Sequence, residues 1–291
     1  MQQVPGVYHR RVGDLLVTAL YDGFQDVAMA TVLGMPQAES TAMLRDSFRP
    51  ARRTTVNAFL IRGGGRTALV DAGCGPAKPT VGFVASNLAA AGVSPESVDT
   101  ILMTHLHPDH WGGLTGKDGG ALFPKAELLL HADEHAYWHD DAAMARTDPA
   151  RQDFFFGGAR RALAPYAART RTFTAGEVFP GVTAMPLPGH TPGHTGFMLA
   201  SGNKSLLIWG DIIHVQELQV PRPEVVMAVD VDPAGAAETR RRIFDQVATD
   251  RQAIAGMHLH FPAFAHMARD GAGYRLLPDA WTMDLDGDAP A

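Results

Sequence analysis

A single cysteine, Cys74, in 291 residues excludes an internal disulfide and fits a reducing compartment. In its Gly73-Cys74-Gly75 turn it reads as a small buried residue rather than a ligand or nucleophile. Long apolar runs are missing too, and nothing approaches the roughly 20 residues that a membrane-spanning helix needs. The opening Met1-Gln2-Gln3-Val4-Pro5 lacks the basic and apolar regions of a secretory leader. A cytoplasmic protein without a membrane partner is expected, or a periplasmic one if a leader has been removed. Positive charge is scarce: 25 Lys plus Arg stand against 31 Asp plus Glu, a net charge of −6. The short cluster Arg240-Arg241-Arg242 reads as the solvated face of a helix, so nucleic acid is not an expected partner. No repeat or low-complexity linker divides the chain. With 46% apolar residues it can bury a substantial core. One domain over residues 1–291 is expected, ending in a loose acidic tail at 283–291.

What the chain has is histidine in dense, local groups. Thr104 to His110 reads T-H-L-H-P-D-H, three imidazoles and a carboxylate between His105 and His110, just after an apolar stretch. Neutral imidazoles offer lone pairs to a borderline cation such as zinc, and Asp109 adds a hard oxygen. Four ligands are too many for one ion that keeps a catalytic position open. In an extended loop His105 and His107 point the same way, while Asp109 and His110 turn toward a second ion. The spacing therefore predicts two metals.

Strand-like segments recur near Leu15 to Leu20, Asn57 to Ile61, Thr67 to Val70, Thr100 to Met103, Glu127 to Leu130, Val182 to Met185, Gly196 to Leu199 and Ser205 to Trp209. Between them, Val81 to Ala91, Ala132 to Trp138, Gln152 to Leu163 and Ala234 to Val247 repeat apolar residues at helical steps. The alternation predicts an α/β architecture around one continuous core.

Three later motifs supply further ligands. Pro188-Gly189-His190-Thr191-Pro192-Gly193-His194 is a loop stiffened by prolines, and His190 can complete a three-imidazole set with His105 and His107. His194 then belongs behind the ligands or at the start of the next strand. The apolar run Leu206-Leu207-Ile208-Trp209 ends in Gly210-Asp211, and a buried carboxylate there needs partners that two cations would provide. Helix capping is the alternative role for Asp211. His214 reads either as pocket lining or as surface. Gly256-Met257-His258-Leu259-His260-Phe261-Pro262 brings the last imidazole. Alternation puts His258 and His260 on one side, one to bind the second metal with Asp109 and His110, the other to face the cleft.

These residues resemble the metallo-β-lactamase superfamily: H-x-H-x-D-H at His105 to His110, G-H-T at Gly189 to Thr191, G-D at Gly210-Asp211, the late His258, and an aspartate-glycine turn at Val70-Asp71-Ala72-Gly73. The resemblance implies an αββα sandwich, two central mixed sheets flanked by helices, with both metals at one edge. It implies a first metal on His105, His107 and His190, a second on Asp109, His110 and His258, and Asp211 bridging them. Asp71 and His194 would support these ligands by hydrogen bonding. The likeness extends over almost the whole chain to the methyl parathion hydrolase-like enzymes and related lactonases. It is carried there by Val56-Asn57-Ala58-Phe59-Leu60, Tyr137-Trp138, Phe155-Phe156-Gly157-Gly158-Ala159 and His258-Leu259-His260-Phe261-Pro262. The chain departs from that branch at His260.

Two cations roughly 3.5–4 Å apart, most simply zinc but also manganese, cobalt or iron, lower the pKa of a shared water, and the bridging hydroxide attacks a carbonyl carbon or phosphorus. Asp109 and Asp211 serve that chemistry as ligands, not as free bases. By resemblance Trp138 and Phe156 are expected to wall the substrate pocket, with His260 as a donor, and Phe154 and Phe155 to belong to the core, because three successive helical aromatics cannot face one pocket. The expected activity is hydrolysis of lactones or aryl esters, with organophosphate triesterase activity on the side. The alternatives are organophosphate hydrolysis as the main activity, and glyoxalase II-like thioester hydrolysis, which would want basic residues for a glutathione carboxylate. A β-lactamase would carry another ligand at Asp211. An RNA-processing nuclease would need a positive docking surface. A redox module of the flavodiiron kind would carry glutamate at His107, and a non-hydrolytic metal-binding module would lack a ligand. A homodimer is expected from the family.

Overall fold

The computed structural model describes residues 3–49 and 51–285. Among them, two seven-stranded sheets lie face to face. The first runs, in spatial order, Val7–Val12, Leu15–Asp26, Arg53–Gly63, Arg66–Val70, Thr100–Leu102, Glu127–His131 and Thr170–Phe173, antiparallel up to Arg66–Val70 and parallel beyond it. The second runs Gly273–Pro278, Phe264–Asp270, Ile254–Ala255, Lys204–Ile208, Thr195–Ser201, Val182–Pro186 and Gly176–Phe179, with only the Lys204–Ile208 and Ile254–Ala255 pair parallel.

Alternation along Arg53–Gly63 shows how the layers form. Phe59 and Ile61 join Val17, Val70 and Leu102 against Phe197, Leu199 and Leu206 of the other sheet, while Ala58 and Leu60 face the opposite way, toward helices. That outer side is covered by Val84 and Leu88 of helix Val84–Ala90 and by Ala159, Ala162 and Leu163 of helix Gly158–Leu163. The second sheet is flanked by helix Pro233–Thr249, which packs Ile243, Phe244 and Val247 against it and is capped by Asp232 accepting from the Gly235 N–H at 3.0 Å. The result is the expected αββα sandwich.

All eight expected strands and all four expected helices are present, with shifted ends. The stretch Gln152 to Leu163 is helical throughout, but Asp153–Gly157 winds as a π-turn. Strands Val7–Val12, Phe264–Asp270 and Gly273–Pro278 escaped the sequence reading because charged residues interrupt their apolar pattern. The reading of Arg240 as solvated is corrected. Its side chain is 1% exposed, and the guanidinium donates to the carbonyls of Ile212, Pro223 and Val225 at 2.6, 2.9 and 2.7 Å. Arg241 and Arg242 are exposed as expected. At the C-terminus Met283 is exposed, and the remainder of the expected loose tail beyond Leu285 lies outside the described residues. Among the described residues no helix is long and apolar enough to cross a membrane.

Candidate metal centre

Each histidine or aspartate motif follows the C-terminal end of a strand, so both sheets deliver their loops to one edge. Asp71 follows Arg66–Val70, His105 and His107 follow Thr100–Leu102, His190 follows Val182–Pro186, Asp211 follows Lys204–Ile208, and His258 follows Ile254–Ala255. Asp109 and His110 sit on the short helix Pro108–Trp111.

Three ring nitrogens form a tight triangle: His105 Nε2 to His107 Nδ1 is 3.1 Å, His107 Nδ1 to His190 Nε2 is 2.9 Å, and His190 Nε2 to His105 Nε2 is 3.2 Å. Beside it, His110 Nε2 lies 3.7 Å and His258 Nε2 3.6 Å from the Asp109 carboxylate. Asp211 Oδ2 stands between the two groups, 3.7 Å from His105, 3.5 Å from His190, 3.3 Å from His110 and 2.9 Å from His258. All seven residues assigned to metals from the sequence therefore converge.

The backs of the rings are held by other groups. His110 Nδ1–H donates to Asp71 Oδ2 at 2.7 Å, His190 Nδ1–H to Asp230 Oδ1 at 2.7 Å, and His258 Nδ1–H to the Thr55 carbonyl at 2.7 Å. Asp71 also accepts from the backbone N–H and hydroxyl of Thr104, whose oxygen meets His105 Nδ1 at 3.0 Å. In each case Nε2 is left as the lone-pair donor aimed inward. His194 accepts from the Asp211 backbone N–H at 2.8 Å and donates to the Leu187 carbonyl at 2.9 Å, which ties the His190 loop to the Asp211 turn.

Electrostatics favour cations here. Burial, then the neighbouring His110, holds His105 well below the ordinary imidazole range; burial, then His190, does the same for His107. Both offer neutral lone pairs. The Asp211 carboxyl, which burial alone would raise, is held well below its usual range by His110, His258 and His105. Among the described residues, His110 Nε2, Asp211 Oδ1 and both ring nitrogens of His214 are buried without a hydrogen-bond partner. Buried polar atoms are normally paired. Against burial, which alone would lower them, Asp211 holds His110 well above and His258 above the ordinary imidazole range, so the site draws positive charge that a divalent ion would supply in place of protons, and four overlapping groups of these residues have ligand atoms close enough to hold one.

Three participants were missed or undervalued. His214, ambiguous in the sequence, is 6% exposed with Nε2 3.2 Å from Asp211 Oδ2. Asp230 orients His190. Glu134 is fully buried, and its carboxylate accepts from the Leu106 N–H at 2.8 Å, the Trp138 indole at 2.6 Å, the Thr191 hydroxyl at 2.6 Å and the Gly193 N–H at 3.0 Å. It thus joins the His105-His107 loop to the His190 loop. The approach requires glycine at 193, where a Cβ would fall 2.2 Å from the Glu134 nitrogen. Glu134→Ala strands four buried donors and is expected to lower the unfolding free energy by about 3–5 kcal/mol, measured by denaturant titration of the metal-free protein.

A cavity of about 640 Å³ opens onto the cluster, lined by Asp109, Asp211, His214 and His258 together with Val27, Trp111, Phe154, Phe155 and Val229. The assignment of Phe154 and Phe155 to the core is corrected: Phe154 is 59% exposed, and Phe155 lies 5.5 Å from the His107 ring on the cavity wall. Trp138 and Phe156, expected at the pocket wall, are buried but line a second cavity of about 330 Å³ beside His107, with Trp138 stacked against Phe155 at 6.4 Å and 4.7 Å from Phe156. The physical reason is the docking of the helix through Gly158, where a Cβ would meet the Trp111 ring at 2.6 Å, so that Phe156 turns inward. His260 is corrected as well. Residues 256–262 form turns rather than a strand, and His260 leaves His258's side to meet Arg49 and, at 3.3 Å, Glu217. Cys74 is buried, with its N–H donating to Asp22 at 2.8 Å, and it borders the cavity.

Comparison with known proteins agrees with the fold. Over 97% of its length the chain is similar to all of the crystal structure of hydrolase AbOPH in the beta lactamase superfamily, at 35% identity and a TM-score of 0.90. It shares the fold of AidC, a dizinc quorum-quenching lactonase solved with the product N-hexanoyl-L-homoserine, covering 97% of this chain and 100% of that one at 24% identity and a TM-score of 0.91. Ribonuclease TTHA0252 of Thermus thermophilus is 30% identical over 196 residues, 63% of this chain and 41% of that protein. The chain spans less than two thirds of the length of the curated relatives it matches. Residues 51–258, from just before strand Arg53–Gly63 to the last imidazole of the cluster, match the Metallo-beta-lactamase superfamily, and the chain belongs to that family.

Proposed function

We propose that this protein is a dinuclear metal-dependent hydrolase of lactones or aryl esters, with organophosphate triesters as side substrates. The observation that carries this reading is the cavity of about 640 Å³ lined both by the buried imidazole and carboxylate cluster and by Val27, Trp111, Phe154, Phe155 and Val229, with Arg52 and Lys78 as its cationic members. Such a space takes a small substrate whose planar or acyl group packs on the aromatic side chains. His105, His107 and His190 would hold one ion, Asp109, His110 and His258 the other, and Asp211 both. The AidC description as dizinc supports zinc as the metal. Bound cations of this kind supply an activated water at neutral pH and polarise the oxygen of the bond under attack.

The chain's own residues do the positioning. Asp71, Asp230 and the Thr55 carbonyl fix three ring orientations, and Glu134 sets the spacing of two histidine loops. Phe155, backed by Trp138 and Phe156, presents an apolar face beside His107. The test is a panel of dihydrocoumarin, N-acyl homoserine lactones, a paraoxon-type triester and lactoylglutathione, assayed with the zinc-loaded protein. The lactones or the aryl ester should give the highest kcat/KM. Preference for lactoylglutathione would overturn the substrate ranking, and cleavage of none of them would overturn the hydrolase reading.

A further inference from the structure

Two neighbouring arginines, Arg52 and Arg53, enter the strand Arg53–Gly63 and meet opposite fates. Arg53 is an ordinary surface residue: its Nε and Nη2 lie 2.8 and 2.9 Å from the Asp26 carboxylate, and its guanidinium sits 3.8 Å above the Phe24 ring. Extended chain alternates, so Arg52 points the other way. It is 4% exposed and lines the cavity that holds Asp109, Asp211 and His258. Among the described residues its sole side-chain hydrogen bond runs from Nη1 to the Thr31 hydroxyl, and its Nε is buried with no partner.

The other deeply buried arginine shows what a structural guanidinium looks like here. Arg240 donates from Nε and Nη1 to three backbone carbonyls. The Arg52 guanidinium, among the described residues, donates to none. The carboxylates whose fields reach it, Asp109 and Asp230, are engaged elsewhere, Asp230 by His190 and the Met227 N–H. Burial pushes the Arg52 guanidinium down to about 10, which leaves it charged at neutral pH. A buried charge with open donors is strongly destabilising unless an acceptor meets it. Arg has five N–H donors and no acceptor, so what it lacks is an oxygen.

We propose that Arg52 is the specificity-determining residue of this cavity, donating to an acceptor oxygen of the substrate away from the bond being cut, an amide carbonyl or a carboxylate. This deepens the hydrolase reading and rests on it. The substrate is then an ester or lactone that carries a second polar function, held at one end by the metal cluster and at the other by the guanidinium, with its apolar part against Phe154 and Phe155. A guanidinium–oxygen bond inside an apolar cavity is charge-assisted and discriminates strongly against analogues that lack the oxygen.

The test compares N-hexanoyl homoserine lactone, which carries a side amide, with an alkyl γ-lactone of similar length that does not. In Arg52→Met the ratio of their kcat/KM values should fall about 10- to 100-fold, chiefly through KM for the amide-bearing lactone. Arg52→Lys, which keeps the charge but not the fork, should retain part of the ratio. Equal losses on both lactones, or no loss, overturn the proposal. Calorimetric titration of ring-opened N-hexanoyl-homoserine into the zinc-loaded protein needs no turnover. Binding should be about tenfold weaker in Arg52→Met, and unchanged affinity, or no binding to either protein, overturns the proposal. Wild-type protein that cleaves neither lactone yet binds the acid through Arg52 sinks the hydrolase reading and supports this one. A structural arginine gives the reverse pattern, a lowered unfolding midpoint with the substrate ratio unmoved, and that result would also overturn it.

Discussion

Asp211→Asn is expected to lower turnover roughly a thousandfold, about 4 kcal/mol of transition-state stabilisation, while leaving the fold in place. The substitution keeps the shape of the side chain and removes its charge. Asp211 Oδ2 stands within 3.7 Å of ring nitrogens from His105, His110, His190, His214 and His258, so one carboxylate serves both halves of the cluster. An amide presents two N–H donors where a second oxygen was, and these repel a cation. The fold should survive because the Asp211 backbone bond to His194 is untouched, and His110, His190 and His258 keep their outer partners. Far-UV circular dichroism of the variant should match the parent, with metal content falling from near two equivalents toward one. Turnover close to the parent's would remove the bridging role.

The sequence exposed the histidine and aspartate cluster more fully than the pocket beside it, and the difference is physical. Histidine and aspartate ligands come in short motifs of uncommon residues at strand ends, where a loop has little other reason to carry them. Strand alternation and the position of glycine and proline then place each motif at the same edge of the sandwich. Glu134 offers no such signal. In Ala132-Asp133-Glu134 it reads as an acid in the first turn of a helix, and only the tertiary packing of two distant loops around it reveals four converging donors. Arg240 likewise hides in a basic run, because nothing local marks which of three arginines meets the carbonyls of Ile212, Pro223 and Val225. Phe154 and Phe155 were misplaced for a related reason. Phe154, Phe155 and Phe156 are adjacent, and which one faces the cavity depends on a π-turn and on Gly158 seating against Trp111. His260 was placed by alternation, which holds for strands; the chain turns there instead.

Metal removal is expected to have the largest effect of all. Purified protein should carry close to two equivalents of divalent metal, and exhaustive chelation should abolish hydrolysis, with zinc or manganese restoring it. The buried cluster has no other source of an activated nucleophile: Cys74, the one cysteine, has a thiol that burial, then Asp109 and Asp22, pushes far above the neutral range, and it donates no reactive thiolate. Chelation should also destabilise the fold, because cations that bind the folded chain and not the unfolded one add RT ln(1 + [M]/Kd) per site, about 4 kcal/mol at a thousandfold excess over Kd. Substitutions divide the two positions. His107→Ala removes a corner of the tight imidazole triangle, whereas His258→Ala opens the group shared with Asp109 and His110, and each should leave about one equivalent bound. Elemental analysis of the three proteins checks this directly. One equivalent in the parent, unmoved by added zinc or manganese, would mean that the seven converging side chains hold a single ion, and the division of labour between the two groups would fall with it.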